Sequence, residues 1–436
     1  METGNRQRDI WPPPAGSASG GNGAAVRSSQ AEWLRVRGYL STRRHELTRA
    51  AQELYPPSLR LAGTPLLTRP GWCPAEPIPL DQVTVSWRPA GGDRGNSVGG
   101  MDDSGIAVAG LDDGGPNDSD IDSRGLASAA VRPLREAGRR FGRYADALSV
   151  LSRPGLFEDR FCYRLLDVRP APAAADLGFG PGGYFDLISV AEAAAHEYAA
   201  ATLATGNPGR LPQLAQLPLR SLIGDPTELR RRPVPAAVAV LMLRADRASG
   251  GHRMILHWRD PAMVASGGGL VQVAPVGIFQ PSHDASWNRV NDFSLWRCIA
   301  REMSEELLGS SEDYHSATAP IDYQRWPFYV ALADGRRAGL LRAYWLGLGI
   351  DPLTLAADML AVAVFDAEFF DRVFSGLVAA NAEGRLLASE DPADATAGVP
   401  FTAASVDRFT TAEPMQPAGA ALLRSAWQHR HMLIAR

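Results

Sequence analysis

The chain has 436 residues and a mass of 46.7 kDa, which at about 150 residues per domain predicts two or three domains. Its hydrophobic content of 45%, its charged content of 21% and its net charge of -4 exclude a disordered chain and a nucleic-acid-coating polycation. It contains no lysine, so all 44 basic residues are arginine, and this excludes enzymes that need a lysine amine on a nucleotide phosphate or in a Schiff base.

The three cysteines lie far apart in the sequence, at Cys73, Cys162 and Cys298. This spacing favours neither a disulfide framework nor a structural zinc site. The N-terminus lacks the apolar stretch of a signal peptide, and no apolar run reaches the length of a membrane span. We therefore expect a cytoplasmic protein that does not bind membranes.

The N-terminal half begins with residues 1–28, which are rich in glycine, proline and serine and are predicted to be a disordered leader. Apolar residues then recur at helical spacing over 29–54, and the sequence LDQVTVSW alternates like a strand. Residues 88–128 carry many aspartates among glycine and serine and are predicted to be a disordered acidic insertion. The whole segment 29–230 is predicted to be a mixed α+β domain.

Three further elements are expected before residue 230. A basic amphipathic helix is predicted over 132–151, and the segment 157–171 is expected to run from a loop into a strand. The glycine-rich segment 178–185 lacks the spacing of a dinucleotide-binding fingerprint and is interpreted as a turn before a helix over 186–201.

The C-terminal half, residues 232–436, begins with three predicted strands at 233–245, 252–260 and 269–279. A helix follows in the sequence FSLWRCIAREMSEELLG, with Asn291 and Asp292 as its predicted N-cap and Gly309 as its stop. Further strands are predicted in RAYWLGLGIDPLTL and MLAVAVFDAEFF, with a turn at Asp351, and ALLRSAWQHRHML is predicted to be a closing helix.

One face of the predicted helix carries three carboxylates, at Glu302, Glu305 and Glu306. Residues three and four apart are neighbours on a helix, so these groups repel one another unless a cation binds them. Oxygen ligands of this kind suit Mg²⁺ or Mn²⁺. An acidic, solvated helix end is the other interpretation, with Arg297 and Arg301 as ion-pair partners.

The order of the strands and the sequence Arg301-Glu302-Met303-Ser304-Glu305-Glu306 resemble the Nudix hydrolase family. The match departs from the family signature at Trp287, where its glycine would stand, and at Phe293, where its first glutamate would stand. Gly277 is the nearest equivalent glycine, which implies a longer loop before the helix. The resemblance covers about residues 232–436 and implies an α/β fold, with a Nudix-like α/β/α sandwich behind the N-terminal α+β region.

This resemblance implies a hydrolase that cleaves a phosphoanhydride in a nucleoside diphosphate linked to another group. Glu305 and Glu306 would bind Mg²⁺ or Mn²⁺, with Gly277 contributing a carbonyl oxygen. Glu302 would be a further ligand or the base for the attacking water, oriented by Arg301. A further carboxylate would come from a later loop, and the candidates for it are Asp351, Asp366 and Glu368.

Without lysine, arginine must bind the phosphates of any nucleotide ligand, and Arg259 and Arg253 flank the predicted strands. His257 is a weaker candidate for a substrate contact. A nucleotide-type small molecule is therefore the expected ligand, while nucleic acid is disfavoured. The competing hypothesis is a catalytically degenerate domain that senses a nucleotide, in which the N-terminal half binds a protein partner.

Overall fold

The computed structural model describes residues 20–88, 98–99, 127–155, 157–206, 211–234, 236–264, 267–312, 314–380, 384–387 and 398–434. The predicted acidic insertion falls almost wholly outside these residues, as does the predicted leader up to residue 19. Within them the chain is an α/β protein.

The helices of the described residues are, in chain order, α1 (Gly20–Ala51), α2 (Tyr144–Leu151), α3 (Tyr184–Ala204), α4 (Pro218–Ile223), α5 (Ser286–Asn291), α6 (Leu295–Leu308), α7 (Pro327–Arg337), α8 (Ala367–Val373), α9 (Ala403–Thr411), α10 (Pro417–Gln428) and α11 (Arg430–Ile434). The strands are β1 (Ile78–Pro79), β2 (Val83–Trp87), β3 (Val98–Gly99), β4 (Leu134–Glu136), β5 (Arg139–Arg140), β6 (Phe161–Ala171), β7 (Ala174–Gly183), β8 (Ala236–Ala245), β9 (Arg253–Met254), β10 (Leu256–Arg259), β11 (Val271–Val273), β12 (Val276–Ile278), β13 (Leu341–Ile350), β14 (Ala357–Asp366), β15 (Gly384–Leu386) and β16 (Val399–Pro400).

The first helix, α1, begins at Gly20, inside the segment predicted to be a leader. Its N-terminal part is held by tertiary contacts, because Gln30 donates to the Leu134 carbonyl and Ser29 accepts from the Leu134 amide. These contacts lie just after the predicted leader, and their partner Leu134 is about a hundred residues away in the sequence. The same region corrects a second prediction. The first part of the helix expected over 132–151 is the hairpin β4–β5, and only the last part, α2, is helical.

The glycine-rich segment 178–185, interpreted from the sequence as a turn, is instead mostly strand β7. This strand pairs with β6 on one side and β2 on the other. A Cβ atom at Gly178 would lie 2.5 Å from a carboxylate oxygen of Asp167, so a larger residue there would displace the Asp167 side chain. The glycines therefore make room across the sheet, and the helix α3 follows directly.

A seven-stranded mixed sheet forms the centre of the C-terminal half, in the order β1-β13-β14-β8-β9-β16, with β12 also paired to β8. Strands β14 and β8 are parallel, and the other pairs are antiparallel. The predicted second and third strands are each divided: β10 leaves this sheet for a smaller one with β11 and β15, and the turn at Ala274-Pro275 separates β11 from β12.

The two faces of this sheet bury different helices. Val238, Val240 and Met242 of β8 share a hydrophobic cluster with α6, whereas Ala239, Leu241 and Leu243 share one with α10. Successive residues of a strand point to opposite faces, so α6 and α10 lie on opposite sides of the sheet. This arrangement is the α/β/α sandwich expected for the C-terminal half.

The N-terminal region, a mixed α+β arrangement as expected, packs against the same core. The ring of Tyr163 on β6 lies with its centroid 4.6 Å from that of Phe279 and 4.9 Å from that of Phe293. Strand β1, also N-terminal, extends the central sheet by pairing with β13. The two predicted domains therefore share one hydrophobic cluster, and any cleft between them has walls from both.

In the described part of the chain, no helix combines the length and the apolar composition that crossing a membrane requires.

Candidate active site

Helix α6 carries the glutamate triplet, and the local sequence explains where it begins and ends. Ser294 is the N-cap and accepts from the Arg297 amide, and Gly309 ends the helix in the left-handed conformation at φ 63°. The predicted N-cap, Asp292, is instead buried in the preceding loop, where it accepts from the amide and hydroxyl of Ser282. The stripe of Ile299, Met303 and Leu307 is buried, which fixes the rotation of the helix.

This rotation turns all three glutamates towards one cleft of about 950 Å³. Gly277 of β12 lines the same cleft. A Cβ atom at Gly277 would lie 1.9 Å from the carboxyl carbon of Glu302, so the carboxylate rests directly against the glycine backbone. The sequence placed Gly277 and Glu302 in one site, and the structure brings them into contact.

Glu306 is buried and bound on two sides. Its Oε1 accepts from the Val276 amide at 2.7 Å, and its Oε2 lies 3.8 Å from Nδ1 of His257. Burial lowers the pKa of His257 to about 4, so the imidazole is neutral at pH 7. Glu306 thus joins α6 to strands β10 and β12.

Glu305 is a carboxyl group whose ionisation is strongly perturbed by its surroundings. Burial raises its pKa to about 7, and the hydrogen bond from the Tyr314 hydroxyl, at 2.7 Å, acts in the opposite direction. The charges of Arg301 and Arg160 also lower this pKa, but burial outweighs them. A bound cation would lower this pKa.

Arg301 has a different position from the one predicted. It is buried and donates to the Gln280 carbonyl and to the Tyr323 hydroxyl, both at 2.6 Å, and it lies 3.7 Å from Asp292. These contacts, rather than one with Glu302, fix its guanidinium. Arg301 therefore connects the start of the long loop to α6, which makes it a positioning residue.

The two arginines predicted to bind phosphate lie in different parts of the fold. Arg259, on β10, lines the cleft and lies on the same strand face as His257. Arg253, on β9, is directed to another part of the fold, where it donates to the Gly398 carbonyl at 2.9 Å. The cleft also contains arginines from the N-terminal region that the sequence did not reveal, namely Arg44, Arg153 and Arg160.

Of the three candidates for a later carboxylate, Asp351 lies at the cleft. Asp366 caps α8 by accepting from the Glu368 amide and pairs with Arg247 at 3.3 Å, and the Glu368 side chain is exposed. A carboxylate that the sequence did not indicate, Asp358 on β14, also lines the cleft. It immediately precedes the apolar run MLAVAVF, where a strand pattern gives no reason to expect a binding residue.

The cleft is acidic overall. Among the described residues that line it, seven are aspartate or glutamate and four are arginine. Their oxygen donors suit Mg²⁺ or Mn²⁺ in kind. In the described part of the chain, however, no three or more histidine, cysteine, aspartate or glutamate side chains are grouped to hold a metal ion. The glutamates face a common space without converging on one point.

Comparisons with known proteins give little beyond this geometry. No family model matches the chain, and no curated protein matches it. Among solved structures, it is similar to a NUDIX hydrolase from Alicyclobacillus acidocaldarius, with 15% identity and a TM-score of 0.22, over 44% of this chain and 90% of that chain. The chemistry of the cleft has to be inferred from its own side chains.

Proposed function

We propose that the protein is a metal-dependent hydrolase that cleaves a phosphoanhydride in a nucleoside diphosphate linked to another group. The observation that carries this proposal is the common orientation of Glu302, Glu305 and Glu306 into one cleft, with Glu302 against Gly277. A solvated acidic helix end would have left these side chains in bulk water, whereas Glu306 is buried and the other two are half-buried.

The charge of the cleft supports a cation as part of the ligand. A diphosphate is strongly anionic, and the surplus of carboxylates over arginines would repel it. A divalent cation held by carboxylates reverses this repulsion, and it also supplies the chemistry by neutralising phosphoryl oxygens and activating water. Glu305 and Glu306 are the proposed ligands, and Mg²⁺ or Mn²⁺ is the proposed ion.

The remaining roles follow from position. Glu302 is half-buried at the cleft wall and is the proposed base that accepts the proton of the attacking water. Arg259 is the proposed donor to phosphate oxygens, since guanidinium groups bind such oxygens through two parallel hydrogen bonds. Arg301 donates hydrogen bonds to Gln280 and Tyr323 and would hold the loop in a fixed position against α6.

The test is turnover on a panel of nucleoside diphosphate derivatives with Mg²⁺ or Mn²⁺. Glu302→Gln, Glu305→Gln and Glu306→Gln are each expected to lower kcat at least about 100-fold. The matched control is Glu368→Gln, because Glu368 is exposed at the start of α8 and should leave kcat unchanged. Equal activity in all four variants would refute the role of the triplet.

A nucleotide-sensing domain is the second candidate, and one observation favours it. Glu306 already accepts a backbone hydrogen bond, and in the described residues the acidic groups are not assembled around one metal position. A sensor would be stabilised thermally by a nucleotide without added metal and would show no turnover on the panel. A hydrolase would need the cation both for thermal stabilisation by the nucleotide and for turnover.

A further inference from the structure

The loop between β13 and β14, residues 351–356, brings two side chains to the cleft, those of Asp351 and Thr354. Asp351 Oδ1 accepts from the amides of Leu353 and Thr354, at 2.7 and 2.9 Å, and thereby closes the loop. Leu355 has a φ of 60°, which a leucine rarely adopts and which persists only where the surrounding structure imposes it. The loop therefore has a conformation that needs support from outside its own sequence.

This support comes from the guanidinium group of Arg220, on α4. Its Nη1 donates to the Pro352 carbonyl at 2.8 Å and to the Tyr55 hydroxyl at 2.9 Å. Its Nη2 donates to the carbonyls of Leu353 and Ala194. These four acceptors are neutral oxygens, although Arg220 is only 1% exposed. Two successive carbonyls of the loop are thus fixed by one rigid, forked group.

A second buried arginine, Arg232, binds the same loop from the start of the C-terminal half. Its Nη2 donates to the Leu355 carbonyl at 2.8 Å, and so it holds the residue with the unusual φ. Arg220 is placed in turn by α3, because Glu197 accepts from the amides of Leu219 and Arg220 at the start of α4, at 2.7 and 3.2 Å. A continuous series of contacts therefore runs from α3 through α4 to the loop at the cleft.

Stability alone does not account for a guanidinium group in this place. An apolar side chain of similar volume would fill the same space without the cost of burying a charge. We propose that Arg220 is a positioning residue, which holds Asp351 and Thr354 in the cleft through the carbonyls of their loop, so that the N-terminal half completes the site. The inference rests on the proposed function for the use of the cleft, whereas the position of the loop can be measured without it.

The first experiment measures hydrogen exchange of the loop amides in the full chain by mass spectrometry. Arg220→Lys keeps the charge but loses the fork, so the amides of residues 351–356 should exchange at least about tenfold faster. The matched control is Arg132→Lys, since Arg132 is also buried and donates to backbone carbonyls, those of Phe141 and Gly142. Unchanged loop exchange in Arg220→Lys, or an equal rise in both variants, would overturn the inference.

A milder variant, Tyr55→Phe, serves if Arg220→Lys does not fold. It removes one acceptor of the Arg220 guanidinium and keeps the ring. The loop amides should then exchange about threefold faster than in the wild type, because Arg220 is less firmly held. No rise in the loop would overturn the inference in this variant too.

The second experiment measures kcat with Mg²⁺ on the panel of nucleoside diphosphate derivatives. Arg220→Lys should lower kcat about tenfold in the wild-type chain and less than about twofold in Asp351→Asn, because both changes act through one loop. An unchanged kcat in Arg220→Lys, or the same further loss in Asp351→Asn, would overturn the inference. Faster loop exchange in Arg220→Lys, together with a wild type that has no turnover, would support the positioning of the loop and refute the proposed hydrolase.

Discussion

Asp358 gives a prediction about stability that does not depend on any ligand. Its ordinary pKa is 3.8, and burial with the charge of Asp351 raises it to about 8 in the folded protein. Below about pH 4 the carboxyl is protonated in both states and contributes no pH dependence. Between about pH 4 and about pH 8 the unfolded chain releases a proton that the folded chain keeps. This group therefore makes the folded protein progressively less stable as the pH rises.

The magnitude follows from linkage. One proton taken up on folding changes the free energy of unfolding by about 1.4 kcal/mol per pH unit. From about pH 5 to about pH 7 the ceiling is therefore about 2.7 kcal/mol. Asp358 is not completely enclosed, and water in the cleft will reduce this value.

The Asp358→Asn variant removes the titration and keeps the side-chain shape. We expect it to be more stable than the wild type at about pH 7 and to lose most of that advantage at about pH 5. The assay is denaturant unfolding of both proteins at the two pH values, with Asp407→Asn on α9 as the exposed control. The same stability difference at both pH values, or a variant that is less stable at about pH 7, would show that Asp358 is charged and well solvated in the folded protein.

Two further predictions concern the glutamate triplet of α6. Gly277→Ala places a methyl group 1.9 Å from the Glu302 carboxyl carbon, so the Glu302 side chain must move, and turnover should fall at least about tenfold with little loss of stability. The control is Gly376→Ala, where a methyl group meets no atom within 4 Å. Equal turnover in the two variants would contradict a role for the contact between Gly277 and Glu302. Tyr314→Phe removes a hydrogen bond that lowers the pKa of Glu305. The pH at which activity is lost on acidification should therefore move above the wild-type value, measured as the pH profile of kcat/KM for both proteins at the same metal concentration. An unchanged profile would show that the ionisation of Glu305 does not limit the reaction.

The elements that the sequence predicted well are those whose pattern is local. Helix α6 has an apolar stripe and a glycine stop within one short run, although its N-cap is Ser294 and not the predicted Asn291 or Asp292. Strands β8, β13 and β14 are largely apolar runs. The wrongly predicted elements depend on contacts with residues far away in the sequence. Strand β7 was interpreted as a turn because glycine is typical of turns, whereas Gly178 is needed to admit a side chain from β6.

The same distinction applies to the site. The glutamates share one helical turn, so their spacing already predicted a common face. Gly277 was a candidate through the family resemblance alone, and it lies against Glu302. Asp358 and Arg44 could not be predicted, because they reach the cleft through sheet register and through the packing of α1 on α3. No local pattern encodes either relation.

The position of Arg44 ties the N-terminal region to the chemistry of the cleft. Both Arg37 and Arg44 of α1 bind the buried Glu192 of α3, at 2.5 and 2.9 Å, so the placement of Arg44 depends on how these two helices pack. Because removing one partner of a buried ion pair is costly, this arrangement resists displacement. The N-terminal half thus holds a cationic group at the cleft, close enough to affect Asp351. A ligand that reaches from the glutamates to Arg44 would contact both halves of the chain, and its affinity would then depend on α1 as well as on the glutamates.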